Sequence, residues 1–209
     1  NCVELCAGES LVIVREDPDL GWYDGQTAQA IADEARTLSV KPTMLDVGAP
    51  ENSRGLGVIE AIEAHICTVF MSRIGDQDRF ADPVPGKKTV MCYARDTAEM
   101  ASAYGRTNHR AMLQLKAAVN DLLLAADTVR ITCPLGTDIS GNVSKTNKET
   151  PADVSVRRFP IGVPQPLDAS QMSGRVALAR FLTPTGSKTY EPSSVPIHET
   201  VVAELSNGR

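Results

Sequence analysis

The sequence has few aromatic residues and few histidines, and this scarcity excludes several classes of function. Phe, Trp and Tyr together make up 4% of the 209 residues, too few for the stacked aromatic platforms that bind single-stranded nucleic acid. The histidines are His65, His109 and His198, and they show no H-E-x-x-H or H-x-D spacing. His198 is followed by Glu199, but one adjacent pair is weak support for a metal site. No metal ligand is therefore assigned within this chain.

Long hydrophobic runs and clusters of basic residues are also missing. No apolar stretch approaches the length of about 20 residues that crosses a bilayer, and the N-terminus lacks a signal-type pattern. The net charge is −5 with both signs interspersed, which argues against nucleic acid or a membrane surface as a partner. The five cysteines include no C-x-x-C pair, so a reducing cytoplasm is the expected compartment.

The common motifs of nucleotide binding and serine catalysis do not occur. No G-x-G-x-x-G or G-x-x-x-x-G-K-[ST] run follows a predicted strand, and there is no G-x-S-x-G. The composition, with 42% apolar and 22% charged residues, is ordinary for a globular protein. The length suffices for one well-buried domain with an appendage, or for two small domains.

Alternating strand and helix patterns predict an α/β domain over residues 1–150. Strands are predicted at residues 10–15, 41–47, 66–71 and 88–94. Between the first two, residues 26–38 place apolar side chains at helical spacing. Such β-α-β units predict a mostly parallel sheet with right-handed crossovers and helices on both faces. Residues 151–209 are poor in helix signals and are predicted to form a β-rich segment.

A long apolar helix, a strand and a polar turn follow one another in the middle of the chain. The helix is predicted over residues 109–126, with Asn108 or Thr107 as its N-cap. Residues 129–133 (VRITC) alternate apolar and polar side chains, as a half-buried strand does. The turn that follows would lie at a sheet edge where α/β proteins bind ligands. Thr137 and Asp138 of this turn are therefore candidate substrate-binding residues; the alternative is an ordinary tight turn.

Arg73 and His109 are candidates because of where they fall in the predicted elements. Arg73 follows a strand and could bind a substrate carboxylate through its guanidinium. Pairing with Asp76, Asp78 or Asp82 in the next loop is the alternative. His109 lies in the first turn of the long helix, where the macrodipole favours the neutral ring, and is a candidate general base. An exposed residue at a helix start is the alternative interpretation.

The middle of the chain combines a hydrophobic helix, a V-R-I-T strand and the motif Gly136-Thr137-Asp138-Ile139. Two further stretches follow, namely Phe159-Pro160-Ile161-Gly162-Val163 and the region around Gly174. With Cys6-Ala7-Gly8-Glu9 before the first strand, this pattern resembles the N-terminal domain of two enzyme families. These are the aminopeptidase-T-type metallopeptidases and the 2,5-dihydroxypyridine 5,6-dioxygenases. The resemblance to the dioxygenases implies iron-dependent cleavage of a hydroxylated, pyridine-like aromatic ring. It also implies that His109 approaches the substrate and takes a proton from it.

The resemblance implies that the metal ligands, for Fe(II) in the dioxygenases, lie in a C-terminal domain beyond Arg209. The chain is accordingly expected to be a fragment whose residues 151–209 lead towards that domain, and Asn1 is not an initiator methionine. An aminopeptidase-T-like two-metal peptidase is the first alternative. A binding domain without catalysis is the second. A small aromatic molecule is the expected partner, and a homo-oligomer is the expected assembly.

Overall fold

The computed structural model describes residues 2–50, 56–76, 84–144, 157–160, 167–182 and 195–209. These residues fall into two compact units. The first unit extends to residue 113 and also includes residues 157–160. The second unit contains the described residues from 114 onwards, apart from residues 157–160.

Strands and helices alternate in the first half of the chain, and strands predominate in the second. The helices are α1 (Gly25–Thr37), α2 (Leu56–Ala64), α3 (Thr97–Ala101) and α4 (His109–Ala125). The strands are β1 (Leu11–Glu16), β2 (Pro42–Val47), β3 (Cys67–Met71), β4 (Lys88–Cys92), β5 (Thr128–Thr132), β6 (Asp138–Asn142), β7 (Arg157–Phe159), β8 (Met172–Leu182) and β9 (Val195–Leu205). Short 3-10 turns occupy Pro18–Leu20 and Arg73–Asp76.

The first unit is built on a parallel sheet with the strand order β2-β1-β3-β4-β7. Its interior strand β1 is apolar throughout Leu11–Val14, and these side chains are at most 1% exposed, as expected for a strand covered on both faces. The chain steps from β1 to β2 in one direction and from β2 to β3 in the other. Right-handed crossovers therefore place α1 and α2 on opposite faces of the sheet. The predicted α/β architecture is confirmed.

Asp24 sets the start of α1. One carboxylate oxygen, Oδ1, accepts a hydrogen bond from the backbone N–H of Thr27 at 2.7 Å. The other, Oδ2, accepts from the backbone N–H of Thr97 at 3.3 Å. A single carboxylate thus caps α1 and ties it to the first turn of α3.

We expect Asp24→Ala to lower the free energy of unfolding by about 1–2 kcal/mol, because two helix-terminal N–H groups lose their acceptor. Urea denaturation followed by circular dichroism measures the loss. Asp24→Asn is the control, since its amide oxygen can still accept from Thr27. Equal losses for the two variants would show that the side-chain cap is not the cause.

The second unit contains an antiparallel sheet with the strand order β5-β6-β8-β9. The strand predicted at residues 129–133 is therefore present, but it does not end at the edge of the parallel sheet. Residues 133–137 instead form the hairpin turn between β5 and β6, in which Gly136 has a φ of 109°. Period-2 alternation is the same for parallel and antiparallel strands, so the pattern could not distinguish the two sheets.

The division of the chain also differs from the predicted boundary at residue 150. Strands β5 and β6 precede that position and belong to the second unit, whereas β7 follows it and pairs with β4 in the first. Helix α4 starts and ends within one residue of its prediction, and Asn108 Oδ1 caps it by accepting from Ala111 N–H at 3.1 Å. The β-rich character predicted for the last part of the chain is confirmed by β8 and β9.

Candidate functional site

A cavity of about 840 Å³ lies in the first unit. Its volume is in the range of sites that hold small molecules. Twelve of its lining residues are apolar or cysteine: Cys2, Val3, Leu5, Leu11, Ile31, Ala35, Leu38, Val69, Val90, Cys92, Met100 and Phe159. The remaining ones are Glu34, Gly105, Arg106, Thr107, Asn108, His109 and Arg110.

One face of the parallel sheet forms the floor of the cavity. Val69 of β3 is in register with Val90 of β4, and Cys92 of β4 is in register with Phe159 of β7. Leu11 of β1 lies on the same face, because alternate residues of a strand point to the same side. The floor is consequently an apolar surface spread over four strands.

Helix α1 and the chain around α3 supply the walls. From α1, Ile31, Ala35 and Leu38 reach the cavity at helical spacing. Beyond α3, Gly105 packs so tightly that an added Cβ would lie 2.6 Å from the carbonyl oxygen of Glu99. The close turn at Gly105 delivers the first residue of α4 into the cavity.

His109, that first residue of α4, is 6% exposed and lines the cavity. Neither of its ring nitrogens has a hydrogen-bond partner among the described residues. Burial, together with the positive charge of Arg157, holds the pKa of His109 below its ordinary value of 6.5. The ring is therefore neutral at pH 7. A neutral imidazole has one acceptor and one donor nitrogen, and here both are buried and unused by the described residues.

Cys2 and Cys92 also line the cavity but contribute an apolar surface. Burial raises the pKa of the Cys92 thiol to about 12, and burial also raises the pKa of Cys2. Both side chains are thus thiols at neutral pH. A protonated thiol is a weak nucleophile and a poor metal ligand. His109 is the buried polar side chain of this cavity.

Arg73, a predicted substrate-binding residue, does not line the cavity. It lies after β3 and binds Glu16, the last residue of β1, whose side chain is 0% exposed. The backbone N–H and the Nε of Arg73 donate to the two Glu16 carboxylate oxygens, both at 2.8 Å. The guanidinium also lies 4.6 Å from the ring centroid of Trp22. The predicted alternative partners Asp78 and Asp82 lie outside the described residues.

Thr137 and Asp138, the other predicted substrate-binding residues, lie in the second unit. Thr137 Oγ1 accepts from the backbone N–H of Ala177 at 3.0 Å. Arg130 donates from Nε and Nη2 to the Asp138 carboxylate at 2.8 and 2.9 Å, and these bonds hold the pKa of Asp138 below its ordinary value. Both side chains make contacts within their own sheet. The structure therefore places His109 and Arg73 in one unit and this turn in the other.

Within the described ranges, no three or more His, Cys, Asp or Glu side chains come together in a group that could hold a metal ion. The ring of His65 is within hydrogen-bond distance of the Ala61 carbonyl oxygen at 2.6 Å and of Thr43 Oγ1 at 3.0 Å. The side chain of His198 lies outside the described residues. The described residues thus provide no fit for the Fe(II) that the resemblance implies.

None of the helices in the described part of the chain combines the length and the hydropathy needed to cross a membrane. Comparison of the chain with models of protein families, with curated proteins and with solved structures gave no match.

Proposed function

We propose that the cavity of the first unit binds a small ring that carries a hydroxyl group, and that His109 accepts the hydrogen bond or the proton of that hydroxyl. The observation that carries this proposal is a buried, neutral imidazole that has no hydrogen-bond partner among the described residues and that lines a cavity with an apolar floor. A buried polar group without a partner costs about 1–3 kcal/mol. A ligand hydroxyl satisfies the ring and removes that cost.

The shape and chemistry of the floor favour a flat, apolar ligand. Leu11, Val69 and Val90 offer a surface of branched side chains on one sheet face, and Phe159 adds an aromatic ring that can pack against another. Apolar area buried against such a surface contributes roughly 25 cal/mol per Å². The ring supplies the affinity in this proposal, and the hydroxyl bond to His109 supplies orientation.

In the wider proposal this chain is the substrate-binding part of an iron-dependent enzyme that cleaves hydroxylated aromatic rings. It assigns to the described residues the binding of the ring, its orientation, and proton acceptance at a His109 ring nitrogen. A metal held elsewhere would supply the oxygen chemistry. A cytoplasmic location and a homo-oligomeric assembly remain predictions.

We expect the protein to bind 3-hydroxypyridine about five- to tenfold more tightly than pyridine, the factor for one hydrogen bond of about 1 kcal/mol. Isothermal titration calorimetry measures both affinities. His109→Leu should abolish the difference, because the acceptor is gone. His65→Gln is the matched control and should keep it, since His65 bonds elsewhere and does not line the cavity.

The preference for 3-hydroxypyridine over pyridine should depend on pH. Only the neutral imidazole accepts a hydrogen bond, and the pKa of His109 is lowered from 6.5. The preference should therefore persist as the pH falls to 6.5 and disappear only in more acidic solution. Equal binding of the two rings at neutral pH, or loss of the preference above 6.5, would contradict the proposal.

A further inference from the structure

Arg106 and Arg110 differ from the other arginines of the first unit. Every other arginine of this unit with a described side chain has a carboxylate partner: Arg15, Arg36, Arg73, Arg95 and Arg157 pair with Asp46, Asp33, Glu16, Glu99 and Glu4 respectively. Arg106 and Arg110 make no ion pair with a described residue. Both line the cavity, and both are exposed. They therefore lie where the cavity meets solvent, and no carboxylate of the described residues pairs with their charges.

The start of α4 adds a second source of positive potential at the same place. The first N–H groups of a helix have no carbonyl partner within the helix. Asn108 Oδ1 accepts a hydrogen bond from the backbone N–H of Ala111. This bond leaves the backbone N–H groups of His109 and Arg110 uncapped by Asn108. These amides carry the partial positive charge of the helix dipole. The buried imidazole of His109, which bonds to none of the described residues, lies at this same helix end.

Glu34 is the carboxylate among the lining residues of the cavity. Two arginines and one glutamate leave one positive charge, because His109 is neutral. Uncompensated positive charge at the mouth of an apolar cavity selects an amphipathic ligand whose charged group is an anion. The apolar part of that ligand occupies the floor.

We infer that the ligand of this cavity is an aromatic carboxylate, with its ring on the floor, its hydroxyl on His109, and its carboxylate held by Arg106, Arg110 and the first amides of α4. This inference rests on the proposed function and names its substrate class. The planar, two-oxygen shape of a carboxylate matches the fork of a guanidinium, which can bind it with two parallel hydrogen bonds. In this inference Arg106 and Arg110 bind the substrate carboxylate, the role that the sequence suggested for Arg73.

One charged probe and one neutral probe of similar size test the inference. 3-Hydroxybenzoate should bind at least about tenfold more tightly than 3-hydroxybenzyl alcohol, because charge-assisted hydrogen bonds are stronger than neutral ones. The double variant Arg106→Gln/Arg110→Gln should lose about tenfold in affinity for the acid and keep its affinity for the alcohol. Arg36→Gln removes an exposed arginine of α1 that pairs with Asp33 and should change neither affinity.

The outcomes separate this inference from the proposed function. Equal binding of acid and alcohol by the unmodified protein overturns the carboxylate and leaves the hydroxylated ring in place. Binding of neither probe overturns both proposals. Competition by inorganic phosphate at the same concentration as the acid shows an anion site that does not recognise the ring, and also overturns the inference. Thermal unfolding of each variant establishes that it is folded before its affinity is compared.

Discussion

Arg73→Ala is expected to lower the free energy of unfolding by about 3–5 kcal/mol, the usual cost of removing one partner from a buried ion pair. The Glu16 side chain is 0% exposed and that of Arg73 is 15% exposed. Arg73 Nη2 lies 2.6 Å from Glu16 Oε1, in addition to the two hydrogen bonds from Nε and the backbone. Without Arg73 the carboxylate stays in the interior and loses its cationic partner. Urea denaturation at neutral pH measures the loss.

Arg15→Ala is the matched control. Arg15 precedes Glu16 on β1 and also makes an ion pair, with Asp46 at 2.7 Å, but those side chains are 29% and 68% exposed. Removing an exposed pair costs less than about 1 kcal/mol. A loss for Arg73→Ala no larger than that for Arg15→Ala would contradict the argument that burial decides the cost.

A double variant keeps the test informative if Arg73→Ala fails to fold. Glu16→Leu/Arg73→Met removes both charges and replaces them with apolar side chains of similar size. Buried pairs replaced in this way often lose little stability, because the desolvation of two charges is avoided as well. We therefore expect the double variant to be more stable than Arg73→Ala. The opposite order would show that an unpaired Glu16 carboxylate costs little at this position, contrary to the argument above.

The position of this ion pair has a functional implication. The strand order reverses at β1, and ligands of open α/β sheets commonly bind at the carboxyl ends of the strands beside such a reversal. Here Glu16 and Arg73 occupy the ends of β1 and β3 and satisfy each other, with Trp22 against the guanidinium. A ligand at that edge would have to displace Glu16 from Arg73. The cavity beside His109 requires no such exchange, because the His109 ring has no hydrogen-bond partner among the described residues.

Local patterns in the sequence predicted the elements of the first unit well. The apolar run of β1 and the cap and stripe of α4 are encoded within a few residues of each element. The placement of β5 and β6 was not predictable in this way. Their sheet is completed by β8, whose register with β6 joins Ile139 to Gly174, and pairing over such a separation leaves no local signal.

The candidate site, too, could be predicted only where its features are local in the sequence. His109 could be identified from its place in a helix start, which is a local property. Its cavity could not, because the floor draws on positions as distant in sequence as Leu11 and Phe159. Arg106 and Arg110 were missed because their distinguishing feature is the lack of an ion-pair partner in the described structure. The available signal was their position around the helix start at His109, because Arg106 lies three residues before it and Arg110 one residue after it.

His109→Leu is expected to raise the free energy of unfolding by about 1–2 kcal/mol at neutral pH, although it should weaken binding of a hydroxylated ring. A leucine of similar size removes two buried ring nitrogens that have no hydrogen-bond partner and adds apolar contacts. His65→Leu is the control and should be destabilising, because the His65 ring bonds Ala61 and Thr43. Urea denaturation of both variants gives the comparison.

The gain from His109→Leu should grow as the solution becomes more acidic. The pKa of His109 is lowered in the folded protein from an ordinary value of 6.5. Below pH 6.5 the unfolded chain binds a proton that the folded protein does not, so the unmodified protein loses stability until the pH reaches the lowered value. The leucine variant lacks this loss. A variant that is less stable than the unmodified protein at all pH values would show that the imidazole is satisfied within the fold. A variant that is more stable but has lost the preference for the hydroxylated ring would show that the histidine serves a ligand at a cost to stability.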